Sequence, residues 1–340
     1  MGGDGRAARV RPLGERWAVR QQHVVDITLL GPVVRRVFSG ARSVSVEPAS
    51  PGRLLVVYRV RVDGVSYYLR VAEEAGEDLT TDAQVLARLA GLGVRVPVVV
   101  HVEAGPRDLD RSFLIVAALA GESLASYGTD EEARRAVRAA GRDAALINAI
   151  EVEGFGWLRR DGLPGLRAEL ACYAEFVASD LPGRWPGWLA GAFTGGDLEA
   201  LQAVVDQERQ RPVPRGHLAH GDFDATHIWL DDRGRYAGII DFGEMRGADR
   251  HFDLGHFLLH DRTARPVPLF EDFLAGYAET AALAWDHRDL IRRSAIVSGL
   301  RQLSLWLGPG RNDSPASDRA RVRVIQLRNL LAGRPPTAPG

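Results

Sequence analysis

His220-Gly221-Asp222-Phe223-Asp224-Ala225-Thr226-His227, followed by Gly238-Ile239-Ile240-Asp241-Phe242-Gly243, is the stretch on which the reading of this chain turns. It sets one carboxylate, Asp222, in a polar loop and a metal-capable side chain, His227, five residues on. A second carboxylate, Asp241, closes an apolar strand fourteen residues later. Such a set suits phosphoryl transfer from a magnesium nucleotide, where catalysis is mostly positioning and charge stabilisation. Six of the nine histidines (His217, His220, His227, His251, His256 and His260) also crowd this region. That density admits a rival chemistry, a metal-dependent hydrolase holding Zn²⁺ or Mn²⁺ on at least three His or Asp side chains.

The chain has 340 residues, 46% of them hydrophobic. Single cores stop growing near about 250–300 residues, so two lobes are expected. A formal net charge of −1 supplies no basic field for nucleic acid. The lone Cys172 excludes an internal disulfide, fits a reducing compartment and is expected to be a small buried hydrophobe. The apolar run Val24 to Val34 is too short and interrupted to span a bilayer, and the arginine-bearing N-terminus has no apolar signal core. The expectation is a soluble cytoplasmic protein with no membrane or nucleic-acid partner; its oligomeric state is not encoded in any pattern here. The chain lacks lysine, so all 43 residues counted as Lys plus Arg are Arg. Any side-chain cation that grips a phosphate is therefore an arginine.

Outward from the motif, residues 1–40 form an N-terminal extension with a short helix near Val24–Val37. From Ser43 the apolar period becomes two: Val44 and Val46, then Leu54, Val56, Tyr58, Val60 and Val62. Asp63-Gly64 supplies a tight hairpin turn, and Val65–Val71 returns as a third strand. Thr81-Asp-Ala-Gln84 has the form of a capping box opening a helix with the stripe Val85, Leu86, Leu89, ended by Gly91 and Gly93. Val94–Val102 and Phe113–Ala117 complete five strands. From Glu131 to Gln210 the spacing is helical, broken at Gly154-Phe-Gly156 and Pro182–Trp188. The motif itself sits on a loop and a short hairpin, Ile228–Leu230 and Arg235–Ile240. Helical spacing resumes over Asp253–Leu307, and a loop at 308–318 precedes a last helix ending at Leu331.

This order resembles the aminoglycoside phosphotransferase family, the antibiotic-kinase branch of the protein-kinase-like fold. The resemblance covers residues 43–300 and is carried by His220-Gly-Asp222, His227, Gly238-Ile-Ile-Asp241 and Asp249-Arg-His-Phe-Asp253-Leu254. Weaker echoes are Tyr68-Leu-Arg70, Gly121-Glu-Ser-Leu124 and Gly154-Phe-Gly-Trp157. It implies an α+β, bilobal fold with a small five-stranded antiparallel β lobe carrying one helix and a larger, mainly helical lobe. The divisions it implies are a nucleotide-binding lobe over 41–117, a catalytic and acceptor-binding lobe over 118–332, and a disordered tail over 333–340.

Carried over by position, the resemblance makes Asp222 the carboxylate that orients the acceptor hydroxyl, while His227 and Asp241 hold Mg²⁺. His227 stands where the family usually has Asn; the aminoglycoside 2″-kinases and macrolide kinases look similar in using His there. Arg70 takes the place of a strand-three Lys that reaches the nucleotide phosphates, and Asp82 that of the Glu that pairs with it. A longer, forked cation facing a shorter anion preserves the span. The amides of Ser50 and Gly52, between the first two strands, face the phosphates. The segment Val116, Ala117, Ala118 and Leu119 binds the base of ATP or GTP through its backbone. Asp249, Asp253 and His220 are structural by the same comparison. Asp224 and Glu244 are assigned to the small-molecule hydroxyl acceptor. The stretch 217–286 holds thirteen Asp and Glu against six Arg, a balance that suits a polycationic aminoglycoside and equally a set of caps and solvent-facing acids. Trp157, Trp185 and Trp188 suit a sugar-binding wall or, as commonly, core packing.

The function implied is a kinase moving the γ-phosphate of ATP or GTP to a hydroxyl of an aminoglycoside-like, antibiotic or sugar-type acceptor. The alternatives are a macrolide or other small-metabolite kinase, a nucleotide-binding pseudokinase suggested by the His, Arg and Asp replacements, and the hydrolase above.

Overall fold

Period-two alternation builds the small lobe. The computed structural model describes residues 25–49, 57–105, 109–179, 181, 187–307 and 317–336, without the side chain of Trp188. Ser50, Gly52, Leu54, Val56 and Trp185 lie outside the described residues, as do residues 1–24, 308–316 and 337–340. Strands β1 (Val44–Pro48), β2 (Val57–Val62), β3 (Val65–Val71), β4 (Val99–Glu103) and β5 (Phe113–Ala117) form an antiparallel sheet in the order β1-β2-β3-β5-β4. Asp63 and Gly64 turn the β2–β3 hairpin with φ of 48° and 85°, the left-handed pair such a turn demands. The Asp63 carboxylate also accepts from the Ser43 amide at 2.8 Å, fixing the start of β1.

Successive side chains leave a strand on opposite faces, so each face of the sheet has its own core. Tyr58, Val60, Leu69, Val71, Phe113 and Ile115 bury one face against Leu30, Val33 and Val34 of the helix Ile27–Val37. Leu114 and Ala72 join Val85, Leu86 and Leu89 of the helix Thr80–Gly91. Each buried Leu or Val stabilises by about 1.5–3 kcal/mol relative to exposure, so both helices belong to the packing of this lobe.

Three local expectations are corrected. The capping box at Thr81 does not form: the helix begins one residue earlier, at Thr80, and the Asp78 carboxylate accepts from the Thr80 amide at 2.9 Å. The span after Asn148 is not helical but supplies the strands Glu151–Val152, Phe155–Leu158 and Ala168–Leu170. Here Gly154 and Gly156 take φ of 84° and 87°, outside the helical region. Cys172 is exposed, because it precedes the short helix Tyr173–Ala178 in extended conformation while Tyr173 and Phe176 turn inward.

The large lobe is mainly helical, with two sheets of short strands inserted. Helix Asp130–Asn148 packs on Phe270–Thr280 with backbones in near contact: a Cβ at Gly276 would stand 1.9 Å from the Arg138 carbonyl oxygen. The strand Gly216–Ala219 runs antiparallel to Arg246–Ala248, and Ile228–Leu230 to Tyr236–Ile239. These pairings bring the ends of three short connections together: Asp222 follows the first strand, His227 precedes the third and Asp241 follows the fourth. The lobes are joined through Arg95, whose carbonyl accepts from the Ile239 amide at 2.9 Å and whose guanidinium donates to the Tyr236 carbonyl.

Asp249 anchors this lobe, accepting from His251 Nδ1 at 2.7 Å and Arg211 Nη1 at 3.1 Å. Burial opposes its ionisation, but those two partners hold the carboxyl well below the usual carboxylate range. A depressed folded-state pKa contributes stability above the unfolded value that disappears as pH falls. The stability gap between wild type and Asp249→Asn, read from urea midpoints, is therefore expected to be complete at pH 7 and to narrow below about pH 5. A constant gap would remove the assignment.

Candidate active site

The loop after Gly216–Ala219 is held by its backbone. Asp253, fully buried at the start of helix Phe252–His260, accepts from the amides of His220 at 2.9 Å and Gly221 at 3.0 Å, and from Asn148 Nδ2 at 3.0 Å. Gly221 has φ of 95°, and a Cβ there would stand 1.9 Å from the Glu244 carbonyl oxygen. Only glycine fits that approach. His220 is buried, and its Nε2 donates to the Ile240 carbonyl at 2.9 Å. Burial and the nearby His227 lower its pKa, so it is a neutral tie between the two halves of the motif.

His227 lies at the centre of the carboxylates. Its Nδ1 lies 2.6 Å from the Asp222 carbonyl oxygen. A carbonyl only accepts, so Nδ1 carries the proton and Nε2 is left with its lone pair. That Nε2 lies 4.0 Å from Asp222 Oδ2 and 3.7 Å from Asp241 Oδ2. Burial disfavours the imidazolium, yet Asp224, Asp222 and Asp241 outweigh it and raise the His227 pKa above its ordinary value. Nε2 therefore faces a strongly cation-attracting space. Asp241 stands in left-handed conformation, φ 64° and ψ 61°, as N-cap of the turn Phe242–Glu244. Its side chain is 58% exposed.

Among the described residues no three or more His, Cys, Asp or Glu close into a metal cage. His227 and Asp241 bring together an imidazole nitrogen and a carboxylate oxygen; the carboxylate is a hard oxygen ligand of the kind Mg²⁺ takes, and the imidazole is a poorer one for that ion. The other histidines are otherwise engaged. His256 Nδ1 donates to the Phe223 carbonyl at 3.1 Å, and its Nε2 is 3.3 Å from Asp222 Oδ1. Burial and the His260 ring push His256 down to about 4. Partial burial opposes ionisation of the Asp222 carboxyl, but His256 and His227 together hold it below the usual range. The Asp222 side chain is 41% exposed and open to solvent.

The remaining positions separate into near and distant sets. Arg70 Nη1 donates to Asp82 Oδ1 at 3.0 Å, joining β3 to the helix Thr80–Gly91. Arg70 also borders the turn after Asp241: a Cβ at Gly243 would be 3.6 Å from its Nη1. Leu119 reaches the strand before Asp241, its Cδ1 lying 3.0 Å from a Cβ built at Gly238. In the Val116–Leu119 segment, the Ala117 and Ala118 amides already donate to Val98 and Ser66 carbonyls at 2.8 and 3.2 Å. Asp224 caps the turn Ala225–His227 by accepting from the Thr226 amide at 2.7 Å, and it meets His260 Nδ1 at 3.4 Å. Glu244 Oε2 is 2.7 Å from Arg246 Nη2, and Arg246 covers the buried ring of Trp157.

Residues 45–290 match the model of the phosphotransferase enzyme family. The chain belongs to that family. The resemblance and the bilobal fold class read from the motif are thus both borne out. Among characterised relatives, an aminoglycoside 3′-phosphotransferase of Streptomyces fradiae is 29% identical over 220 residues, covering 62% of this chain and 73% of that protein. Among solved structures, aminoglycoside phosphotransferase APH(4)-Ia superposes with a TM-score of 0.62 at 17% identity, covering 90% of this chain and 99% of that one. A thermostable mutant of it, in ternary complex with AMP-PNP and hygromycin B, gives 0.64 at 17% identity, covering 90% and 98%. Identities this low establish the shared fold. No described helix of this phosphotransferase is long and apolar enough to cross a membrane.

One residue of the phosphotransferase escaped sequence reasoning. Arg160 donates to Asp82 through Nε at 2.7 Å and Nη2 at 3.1 Å, and Nη2 also reaches the Gly243 carbonyl at 3.0 Å. Burial alone would disfavour its charge, but Asp82 more than restores it. Nothing in Arg159-Arg160 distinguishes one arginine from the other in a chain whose every cation is Arg. Only the fold selects it.

Proposed function

We propose that this phosphotransferase moves the γ-phosphoryl group of ATP or GTP, with Mg²⁺, to a hydroxyl of a small, sugar-containing or aminoglycoside-type acceptor. The observation that carries the reading is the set of two carboxylates about His227 Nε2, at 4.0 and 3.7 Å, with Nδ1 pinned to the loop backbone. A second-nitrogen hydrogen bond of this kind fixes a ligating imidazole in register.

In this reading the nucleotide lies between a lobe spanning 41–117 and one spanning 118–332. Arg70, held by Asp82, steadies its phosphates, and the amides of Ser50 and Gly52 are assigned to the same phosphates. The segment Val116–Leu119 binds the base through its backbone, beyond the Ala117 and Ala118 amides, which are already engaged. His227 and Asp241 hold Mg²⁺, which when bound neutralises charge on the phosphate oxygens. Asp222 orients the acceptor hydroxyl and accepts its proton as the new O–P bond forms and the bond from Pγ to the β-phosphate oxygen breaks, releasing ADP or GDP. Asp224 and Glu244 are assigned to the acceptor side. The name of the Streptomyces relative supports an aminoglycoside; His227 in the Asn position supports the 2″-aminoglycoside or macrolide branch.

A nucleotide-consumption screen with ATP and with GTP, against aminoglycosides, macrolides, amino alcohols and sugars, tests the reading. Acceptor-dependent release of ADP or GDP is expected with at least one class. Nucleotide binding without turnover on any of them would favour a binding protein instead.

A further inference from the structure

Asp82 is buried and has more cation than its partnership with Arg70 requires. Its carboxylate accepts one bond from Arg70, Nη1 to Oδ1 at 3.0 Å, and two from Arg160, at 2.7 and 3.1 Å. The Arg160 fork is the stronger claim, since a guanidinium engaging both carboxylate oxygens gives the tighter and more directional pair. Arg160 stands just beyond the strand Phe155–Leu158, in the other lobe, and its side chain is only 7% exposed. It also touches Glu77 Oε1 at 3.8 Å, and its carbonyl accepts from the Asp78 amide at 2.8 Å. The same Nη2 that meets Asp82 donates to the Gly243 carbonyl at 3.0 Å, two residues after Asp241.

We propose that Arg160 is a positioning residue that sets the nucleotide site from the large lobe. By occupying both oxygens of Asp82 it leaves the Arg70 charge available to phosphates, and by holding the Gly243 carbonyl it fixes the turn that presents Asp241. One guanidinium thus sets the small-lobe cation and the metal-side carboxylate in register. Buried charge pairs of this type cost desolvation and are retained where they specify geometry. The inference rests on the nucleotide reading above and concerns how its site is held, not which acceptor it serves.

The test is calorimetric binding of Mg-ATP and Mg-GTP to the full chain, with thermal melts in parallel. Arg160→Lys keeps the charge and stem but loses the fork; Arg160→Met loses both. Weakening of Kd by about tenfold is expected for Met and by about threefold or more for Lys, at a temperature where both are fully folded. In an Asp82→Asn background the Lys effect should shrink below about twofold, because the anion that Arg160 occupies is gone. A purely structural role would lower the melting temperature and leave Kd per folded molecule unchanged. That result, an undiminished effect beside Asp82→Asn, or failure of the Lys variant to fold would each overturn the proposal. Wild-type protein that binds neither nucleotide would sink the nucleotide reading itself, and this inference with it.

Discussion

Asp222→Ala is expected to reduce phosphoryl transfer by about 10³-fold or more while Mg-nucleotide affinity stays within about threefold, because a positioned base contributes about 10²–10⁴ to rate. The separation follows from the geometry. In the proposed reading Asp222, 4.0 Å from His227 Nε2, serves the acceptor, whereas Asp241, 3.7 Å from that nitrogen, and Arg70, which borders the Gly243 turn, serve the nucleotide. Removing the Asp222 side chain leaves its carbonyl in place, so the hydrogen bond that orients His227 persists. Single-turnover kinetics with labelled nucleotide, alongside equilibrium binding, read both quantities. Loss of binding in step with turnover would assign Asp222 to the metal instead of the acceptor.

Asp253→Ala is expected to have the largest effect on stability, because its buried carboxylate accepts from two loop amides and from Asn148. Alanine leaves the two loop amides without acceptors in a buried site, while Asn148 keeps the Leu218 carbonyl. Each orphaned donor costs about 1–3 kcal/mol, so a loss of about 2–6 kcal/mol is expected. In a chain of 340 residues that lowers Tm by about 3–8 °C. The loop bearing Asp222 should also loosen, giving lower turnover at temperatures where the variant is fully folded. A variant with unchanged Tm by calorimetry would show that water or another donor set replaces the carboxylate.

The sequence was most legible where local rules and the fold agree. Asp63-Gly64 states its own turn, and Phe113 and Ile115 against Leu114 state which face each side chain takes. The loop-and-hairpin setting of Asp222, His227 and Asp241 was legible for the same reason, since strand ends fix where each side chain emerges. Tertiary contacts overrode local signals elsewhere. Thr81 has a capping-box sequence, but the helix opens at Thr80, whose amide donates to Asp78. The strands after Asn148 are two to four residues long, too short for a period to declare itself, and they exist because Gly216–Ala219 and Arg246–Ala248 offer edges to pair with. Arg160 was invisible because its meaning lies in two partners 78 and 83 residues away.

The most direct test of the central claim follows the label itself: γ-labelled ATP or GTP with Mg²⁺, wild type and Asp222→Ala, and the products of the acceptor panel resolved by mass. The account predicts one acceptor gaining a single phosphoryl group on a hydroxyl in wild type, with the label lost from that product in Asp222→Ala. Label transfer at near wild-type rate in Asp222→Ala, or acceptor cleavage that needs Zn²⁺ and no nucleotide, would contradict it.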